Sequence, residues 1–361
     1  MSRDPHRPPI RVAIMGVGRS VFTDHLPIFK ANPELFKIVA VCDLIKEHRD
    51  MIEPELPDCR MYRQYQDMLL EHDIDLVLVS SCSVDHVDHA MASLERGFWT
   101  LVETPLSLTF EDVQVLRGAA AKAKNRLLAF HRGVFEPDYL LAQQVMDEAR
   151  LGEGPLGELY EVRLRKEDFI RRDDWQTVKR LGGGAAYYAV TDMMIQAVKL
   201  LDTPPIQMWS ELKRIASLGD AEDYVHVCLK TRAQISADVE FNGGVVAENR
   251  QPSFAIRGSR GQFTVMPGQT EGVMTVIDPR HKFPRRRSSV RTPPVEDMHE
   301  EVEVIRIPVS LAVGKSYGLE ALWKQIYATV RTAAPYPVSM EEAIDAVKFA
   351  QLMKKTSPFG K

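Results

Sequence analysis

The strongest constraint on the fold is the regular alternation of short apolar runs and helical stretches over the first 130 residues. The run "IRVAIMGVG" is rich in β-branched residues and ends in glycines, which predicts a buried parallel strand followed by a tight turn. The runs "FKIVAVCD", "IDLVLVSS", "FWTLVET" and "NRLLAF" follow it, separated by helical stretches. This spacing predicts an α/β domain with a doubly wound parallel sheet over residues 1–130.

The pattern changes after Phe130. A helix is expected from Asp138 to Arg150, and beyond Pro205 the sequence consists mainly of segments that alternate polar and apolar residues between turns. Such segments predict a second α/β domain over residues 131–361 with an open, mainly antiparallel sheet. Two helices, Leu319–Arg331 and Met340–Met353, are expected to close the chain, and one arrangement open to them is packing against the first domain.

Composition excludes several classes of protein. The 361 residues are 45% hydrophobic and 27% charged, with a formal net charge of −4, so a soluble two-domain protein is expected. Nothing in this charge balance attracts nucleic acid or an anionic membrane, and no apolar run reaches the ~18–20 residues of a membrane span. The basic run "HKFPRRRSSVRTPP", 281–294, is interpreted as a solvated loop.

The cysteines favour a reducing compartment. The four cysteines have no CxxC spacing, which predicts neither a disulfide scaffold nor a metal site. The first residues, "MSRDPHRPP", lack the apolar stretch of a signal peptide. A cytoplasmic location is therefore expected.

A nucleotide site is predicted directly after the first strand. In "GVGRSV", Gly16 permits a sharp turn and Gly18 permits close approach of a phosphate to the backbone, with Arg19 and Ser20 beside it. Asp43 ends the second strand, where a carboxylate accepts both ribose hydroxyls and repels a 2′-phosphate. NAD is therefore favoured, although the nearby basic residues Lys46 and Arg49 leave NADP open.

An apolar helix after the glycine triplet carries an unexpected pair of polar side chains. In "GGGAAYYAVTDMMIQAVKLL" the helix is expected to run from Ala185 to Leu201, with Tyr188 and Asp192 one turn apart on the same face. A buried carboxylate without a partner is costly, so this face should meet a wet cleft or a polar group.

Together these landmarks resemble the Gfo/Idh/MocA oxidoreductase family along nearly the whole chain. The resemblance implies a Rossmann domain followed by an α/β domain, NAD(P)-dependent oxidation or reduction of a sugar or polyol hydroxyl, and homodimers or homotetramers formed through the outer sheet face. Glu103 and Pro105 match the Glu-Lys-Pro motif of the family, but Thr104 replaces the catalytic lysine. Tyr188 and Asp192 replace the aspartate and histidine that the family places after the glycines.

The resemblance also implies which other residues line the cleft. Ser81 and His86 fall in the cofactor-binding turn after the third of the strands named above, and Glu103 is placed with them. His131 and Arg132 stand where the family commonly has an Asn-Arg pair, and they are assigned to the substrate.

Two catalytic roles for the pair remain open. Asp192 is the base if burial raises its pKa towards neutrality; alternatively Tyr188 donates to the reacting oxygen while Asp192 orients a substrate hydroxyl. Lys166 is a candidate to supply the missing positive charge, and Arg172 and Trp175 are candidates to bind the substrate.

The sequence therefore predicts an NAD(H)-dependent oxidoreductase acting on a sugar, cyclitol or related polyol, with atypical catalytic residues. Two alternatives remain open: a catalytically silent subunit that binds nucleotide or sugar, and a glycoside hydrolase or lyase that uses NAD for transient oxidation.

Overall fold

A computed structural model describes residues 8–152, 154–283, 301–357 and 359. Most of the basic run, from position 284 onwards, lies outside these described residues.

The first region folds around a parallel sheet with strand order β3-β2-β1-β4-β5-β6. Its central strands are apolar on both faces because helices cover both sides, and all four residues of β4 are buried. The strands of this sheet are β1 Ile10–Met15, β2 Phe36–Cys42, β3 Arg60–Tyr62, β4 Leu76–Val79, β5 Trp99–Glu103 and β6 Leu127–Phe130. The short edge strand β3 has no clear apolar run, and sequence analysis did not anticipate it.

The helices of this region connect successive parallel strands. A π-helical turn, Val21–His25, leads directly into the first of them. The helices are α1 Leu26–Ala31, α2 Lys46–Ile52, α3 Tyr65–Met68, α4 His86–Glu95 and α5 Phe110–Lys122.

The second region contains a mixed, mainly antiparallel sheet with strand order β14-β13-β12-β11-β7-β10-β9-β8. All its pairings are antiparallel except that between β7 and β10, which run parallel. The strands are β7 Leu159–Glu167, β8 Pro205–Lys213, β9 Tyr224–Thr231, β10 Ser236–Asn242, β11 Phe254–Gly258, β12 Gly261–Val265, β13 Glu271–Ile277 and β14 Val304–Ser310. Alternate residues of β9 and β10 are buried, so one face packs on helices and the other is the outer face.

The remaining helices pack on the inner face or return to the first sheet. They are α6 Pro137–Arg150, α7 Ala185–Tyr188, α8 Val190–Leu201, α9 Gly318–Thr332 and α10 Met340–Thr356. The expected single helix from Ala185 to Leu201 is wrong in one respect, because Ala189 (φ −125°, ψ −51°) interrupts it.

Helix α9, the last but one in the chain, lies on the first sheet. Its Trp323 is fully buried and its ring contacts Phe29 and Phe36 at centroid distances of 4.5 and 5.3 Å. The two sheets with their helices confirm the predicted fold class. Among the described helices, none combines the length and apolar character needed to cross a bilayer.

Candidate active site

Most of the predicted cofactor residues lie at the carboxyl edge of the first sheet. Gly16 follows β1, Asp43 follows β2, Glu103 ends β5 and His131 follows β6. In parallel sheets the crevice outside this edge, where the strand order reverses between β1 and β4, is the place where dinucleotides bind.

The glycine turn has two parts with different physical constraints. Gly16 has φ +89°, and a Cβ there would lie 2.6 Å from Ser81 Cα, so the fold itself requires glycine. Gly18 has no such restriction, since an added Cβ would meet only Ser80 O at 3.9 Å. Gly18 therefore leaves open space beside the turn, which fits the close approach of a phosphate group.

The two residues after the turn are positioned differently. Arg19 is exposed, whereas the Ser20 hydroxyl lies 3.0 Å from the Ser80 hydroxyl. Ser20 thus links the glycine turn to the end of β4.

Asp43 organises the edge from the second strand. Its Oδ2 accepts the Val17 N–H at 2.8 Å and lies 3.2 Å from His48 Nδ1, while Oδ1 accepts the Ile45 N–H at 2.8 Å. A carboxylate has about four acceptor sites, so capacity for a ribose hydroxyl remains.

His86 does not occupy the cleft wall that the resemblance implied. Its ring is 1% exposed, with Nδ1 2.7 Å from Pro105 O and Nε2 3.0 Å from Ser81 O. Burial lowers the pKa of His86. The ring therefore braces the turns after β4 and β5 from behind, while the Ser81 hydroxyl is hydrogen-bonded to His89 Nδ1 at 2.9 Å.

Glu103 is paired with a histidine that sequence analysis missed. His25 Nε2 donates to Glu103 Oε1 at 2.6 Å, and Ser80 Oγ donates to the same oxygen at 3.2 Å. Burial alone would raise the pKa of Glu103, but the hydrogen bond and charge of His25 bring it below its ordinary value. The one hint of His25 in the sequence is its position in the helical segment that directly follows the glycine turn.

Two of the predicted catalytic residues, Thr104 and Asp192, lie beside His131, which was predicted to bind the substrate, at the ends of β5 and β6. His131 Nδ1 donates to Asp192 Oδ1 at 2.6 Å, and Oδ2 accepts the Gly133 N–H at 3.0 Å. The Thr104 hydroxyl lies 3.5 Å from His131 Nδ1 but donates its proton to Phe130 O at 2.8 Å. Thr104 can therefore accept a hydrogen bond from a ligand, but its own proton is already used.

A group of charged side chains surrounds this pair. Glu136 lies 3.8 Å from Lys166 Nζ. Burial raises the pKa of Glu136; the charge of Lys166 opposes this, and the charges of Asp138 and Asp192 add to it. About a third of the Glu136 side chain remains exposed, as expected at the floor of a crevice. Arg132 donates to Asp24 Oδ2 at 2.9 Å across the mouth of the site.

The helix is interrupted at Ala189, between Tyr188 and Asp192, and the contacts of Tyr188 are to groups other than those that hold Asp192. Its ring packs edge-on against Phe241 at 5.8 Å and lies beneath the Arg172 guanidinium at 5.7 Å. Burial raises the pKa of the Tyr188 phenol far above its usual range, and the charges of Asp223, Glu222 and Asp174 raise it further.

The two predicted substrate residues on the segment before the glycines differ in their surroundings. Arg172 forms an ion pair with Asp174 at 2.7 Å. Trp175 is partly exposed at the start of a short 3-10 turn, Trp175–Thr177. The glycine triplet packs behind this turn, where a Cβ on Gly183 would lie 2.5 Å from Gln176 O.

Comparison with known proteins gives the same outline. Residues 10–131 match the family model described as the Gfo/Idh/MocA oxidoreductase family, NAD-binding Rossmann fold. Residues 149–358 match the C-terminal alpha/beta domain of the same family.

Individual relatives are distant. The chain is 26% identical over 261 residues to an uncharacterised oxidoreductase of Schizosaccharomyces pombe, covering 71% of this chain and 70% of that protein. It is 22% identical over 355 residues to a scyllo-inositol 2-dehydrogenase (NADP(+)) of Bacillus subtilis, covering 96% and 94%. Its fold matches the WlbA dehydrogenase of Chromobacterium violaceum, solved with NADH and UDP-GlcNAcA, with a TM-score of 0.74, 18% identity and coverage of 97% and 94%.

Proposed function

The chain belongs to the Gfo/Idh/MocA oxidoreductase family, and we propose that it transfers a hydride between NAD and a hydroxyl or keto carbon of a sugar or cyclitol. The observation that carries the proposal is the hydrogen-bonded pair formed by His131 and Asp192 at the carboxyl edge of the first sheet. The similarity to a scyllo-inositol dehydrogenase along nearly the whole chain supports the substrate class.

The residues at this edge suit a dinucleotide. The open space beside Gly18 accommodates the pyrophosphate, and Asp43 accepts hydrogen bonds from the ribose. Nearby positive charges already have partners, because Lys46 pairs with Asp50 at 2.6 Å and Arg49 donates to the Asp43 carbonyl. A 2′-phosphate would therefore meet the Asp43 carboxylate without a free cation from these two residues, which favours NAD.

The His131–Asp192 pair supplies the proton acceptor that the loss of the family lysine removes. A carboxylate only accepts hydrogen bonds, so Asp192 keeps the proton of His131 on Nδ1 and leaves the lone pair of Nε2 available. NAD held at this edge by the glycine turn and Asp43 would supply the acceptor for the hydride of the carbinol carbon. The hydroxyl proton passes to Nε2 as the carbonyl forms, and Asp192 then stabilises the imidazolium.

Other side chains are assigned to holding the substrate. Lys166 and Arg132 extend from the charged group around Glu136, and both can bind hydroxyl oxygens. The buried Tyr188 phenol keeps its proton and acts only as a donor or as packing.

The chain is further assigned to homodimers or homotetramers through the outer face of the second sheet. Large apolar side chains are exposed there, including Trp209 on β8 (53%) and Val273 on β13 (42%). Light scattering on the purified protein tests this assignment, since a monomer at micromolar concentration would contradict it.

The function is tested in two stages. Titration with NADH and NADPH, followed by fluorescence, measures cofactor binding. A panel of inositols and sugars with NAD, followed by the absorbance of the reduced nicotinamide, then measures turnover. His131→Asn should lower kcat by about 10²–10⁴-fold while NADH still binds.

The matched control is His72→Asn, because His72 is exposed and precedes β4 at the opposite edge of the sheet.

NADH binding without turnover on any substrate would favour a silent subunit. Cleavage of a glycoside without net NADH formation would favour a hydrolase or lyase.

A further inference from the structure

Three side chains with metal-binding atoms lie together on the outer face of the second sheet. His226 and Cys228 alternate along β9, and Asp238 on β10 is directly opposite Cys228 in the antiparallel register. Because alternate residues of a strand share a face, the backbone itself brings these three side chains together. The sequence spacing predicted no metal site, since one of the three groups comes from a second strand.

The distances among the three groups match one coordination sphere. His226 Nε2 lies 3.1 Å from Asp238 Oδ2, while Cys228 Sγ lies 3.7 Å from that nitrogen and 3.8 Å from that oxygen. Tetrahedral zinc with ordinary bond lengths separates N and O by about 3.3 Å, and S from either by about 3.5 Å. The observed triangle departs from these values by only a few tenths of an ångström.

Two further observations indicate that the cluster is incomplete by itself. Asp238 Oδ1 is buried and has no hydrogen-bond partner among the described residues, which is costly unless a ligand completes it. A cavity of about 640 Å³ opens beside Cys228 and Asp238, next to Trp209. The Trp209 ring also fixes the orientation of His226 by an edge contact at 5.5 Å.

The side chains around the cluster carry charges of both signs. Arg163 and Arg165 lie near Asp238; Arg163 shares Glu161 with Arg257, at 2.9 and 2.7 Å, and Arg165 lies 3.8 Å from Glu240. A thiolate and a carboxylate together balance a doubly charged ion.

We propose that His226, Cys228 and Asp238 bind one zinc ion through Nε2, Sγ and a carboxylate oxygen, with water from the cavity as the fourth ligand. One sulfur, one imidazole nitrogen and one carboxylate oxygen form a ligand set that zinc accepts in proteins. The thiol proton and the proton between His226 and Asp238 pass to solvent when the ion binds. The site lies outside the predicted nucleotide cleft, on the same outer face that is proposed above to join subunits, and its existence does not depend on the proposed activity.

The test uses the full chain, stripped of metal with a chelator and titrated with Co²⁺. A thiolate-to-cobalt absorption band should reach saturation at one equivalent and disappear when Zn²⁺ is added. Cys228→Ser should abolish the band, and Asp238→Asn should weaken Co²⁺ binding at least about tenfold.

Cys59→Ser is the matched control, because Cys59 is partly exposed near β3 in the first region and belongs to no such cluster. Thermal unfolding of each variant confirms that it is folded. As a second readout, one equivalent of Zn²⁺ should protect Cys228 from a thiol reagent. Absence of a saturable band, or a band that survives Cys228→Ser, would overturn the proposal.

Discussion

Oδ1 of Asp192 lies 2.6 Å from Nδ1 of His131, while Oδ2 of the same carboxylate accepts the Gly133 N–H at 3.0 Å. The two contacts fix the carboxylate at both oxygens. Since an ionised carboxylate cannot donate, the proton of a neutral His131 ring must reside on Nδ1. The position of one aspartate on α8 therefore determines which nitrogen of His131 can act as a base.

Asp192→Asn should reverse this arrangement. The single oxygen of asparagine would accept the Gly133 N–H, so its NH₂ group would face Nδ1 and place the ring proton on Nε2. The expected result is a fall in kcat of about 10²–10⁴-fold, with NADH affinity changed less than twofold. Initial rates on the best substrate of the panel measure this effect. A variant with wild-type kcat would reject the role of the pair, whereas Asp202→Asn, at the far end of the same helix, should be neutral.

Sequence reasoning identified both members of this pair without pairing them. Asp192 stood out because a carboxylate interrupts an apolar helix, and His131 stood out because of the family resemblance. The pairing depends on the end of β6 meeting α8, a contact between residues far apart in sequence. The break at Ala189, between Tyr188 and Asp192, was not predicted, because helical spacing cannot reveal such a local interruption.

The fold was more accessible to sequence reasoning than the site. Apolar runs such as β4 are recognisable because both faces are buried, and this leaves continuous hydrophobic stretches. The short strand β3 and the parallel pairing of β7 with β10 were not anticipated, since pairing direction is decided by tertiary contacts. His25 was missed because its partner, Glu103, is distant in sequence.

Gly18→Val should separate cofactor binding from folding. The added side chain enters open space beside the turn, so stability should be nearly unchanged while NADH affinity falls at least about tenfold. Gly16→Ala is the contrasting variant. Its φ of +89° and the nearby Ser81 backbone predict a loss of about 1–3 kcal/mol in the free energy of unfolding. NADH titration and denaturant unfolding of both variants measure these effects; equal stability losses would contradict the assignment.

Asp43→Ser should change the preference between cofactors. Without the carboxylate, the repulsion of a 2′-phosphate is removed, and the ratio of NADH to NADPH affinity should fall at least about tenfold. Loss of the hydrogen bonds from the Val17 and Ile45 N–H groups should also cost about 1–3 kcal/mol of stability. Parallel titrations with the two reduced cofactors provide the measurement. An unchanged ratio of the two affinities would show that Asp43 only accepts the Val17 and Ile45 N–H groups and does not discriminate between the cofactors.

The stability of the protein should depend on pH because of Glu136. Burial is the largest cause of its raised pKa in the folded protein, so the protonated form is favoured there. Protonated Glu136 therefore contributes its full stability at pH values below the pKa that the group has in the unfolded chain. This contribution is lost as the pH rises through the higher pKa that the group has in the folded protein. Glu136→Gln should remove this loss, making the Tm of the variant rise relative to wild type between about pH 4 and pH 8.

The control for this experiment is Glu95→Gln, because Glu95 is exposed at the end of α4. Its Tm should follow that of wild type at every pH. A Glu136→Gln variant that instead loses stability relative to wild type as the pH rises would mean that the ion pair with Lys166 outweighs burial.

Trp323 should be the main anchor of helix α9 on the first sheet. The side chain is fully buried against Phe29, Phe36 and His25, so Trp323→Ala should lower the free energy of unfolding by about 3–5 kcal/mol. Trp323→Phe should cost only about 1–2 kcal/mol, because within the described part of the chain the indole N–H has no hydrogen-bond partner to lose. Denaturant unfolding of both variants measures the difference. If the two variants lost equal free energy of unfolding, the aromatic ring retained in Trp323→Phe would contribute nothing. The packing of Trp323 would then not be what anchors the helix.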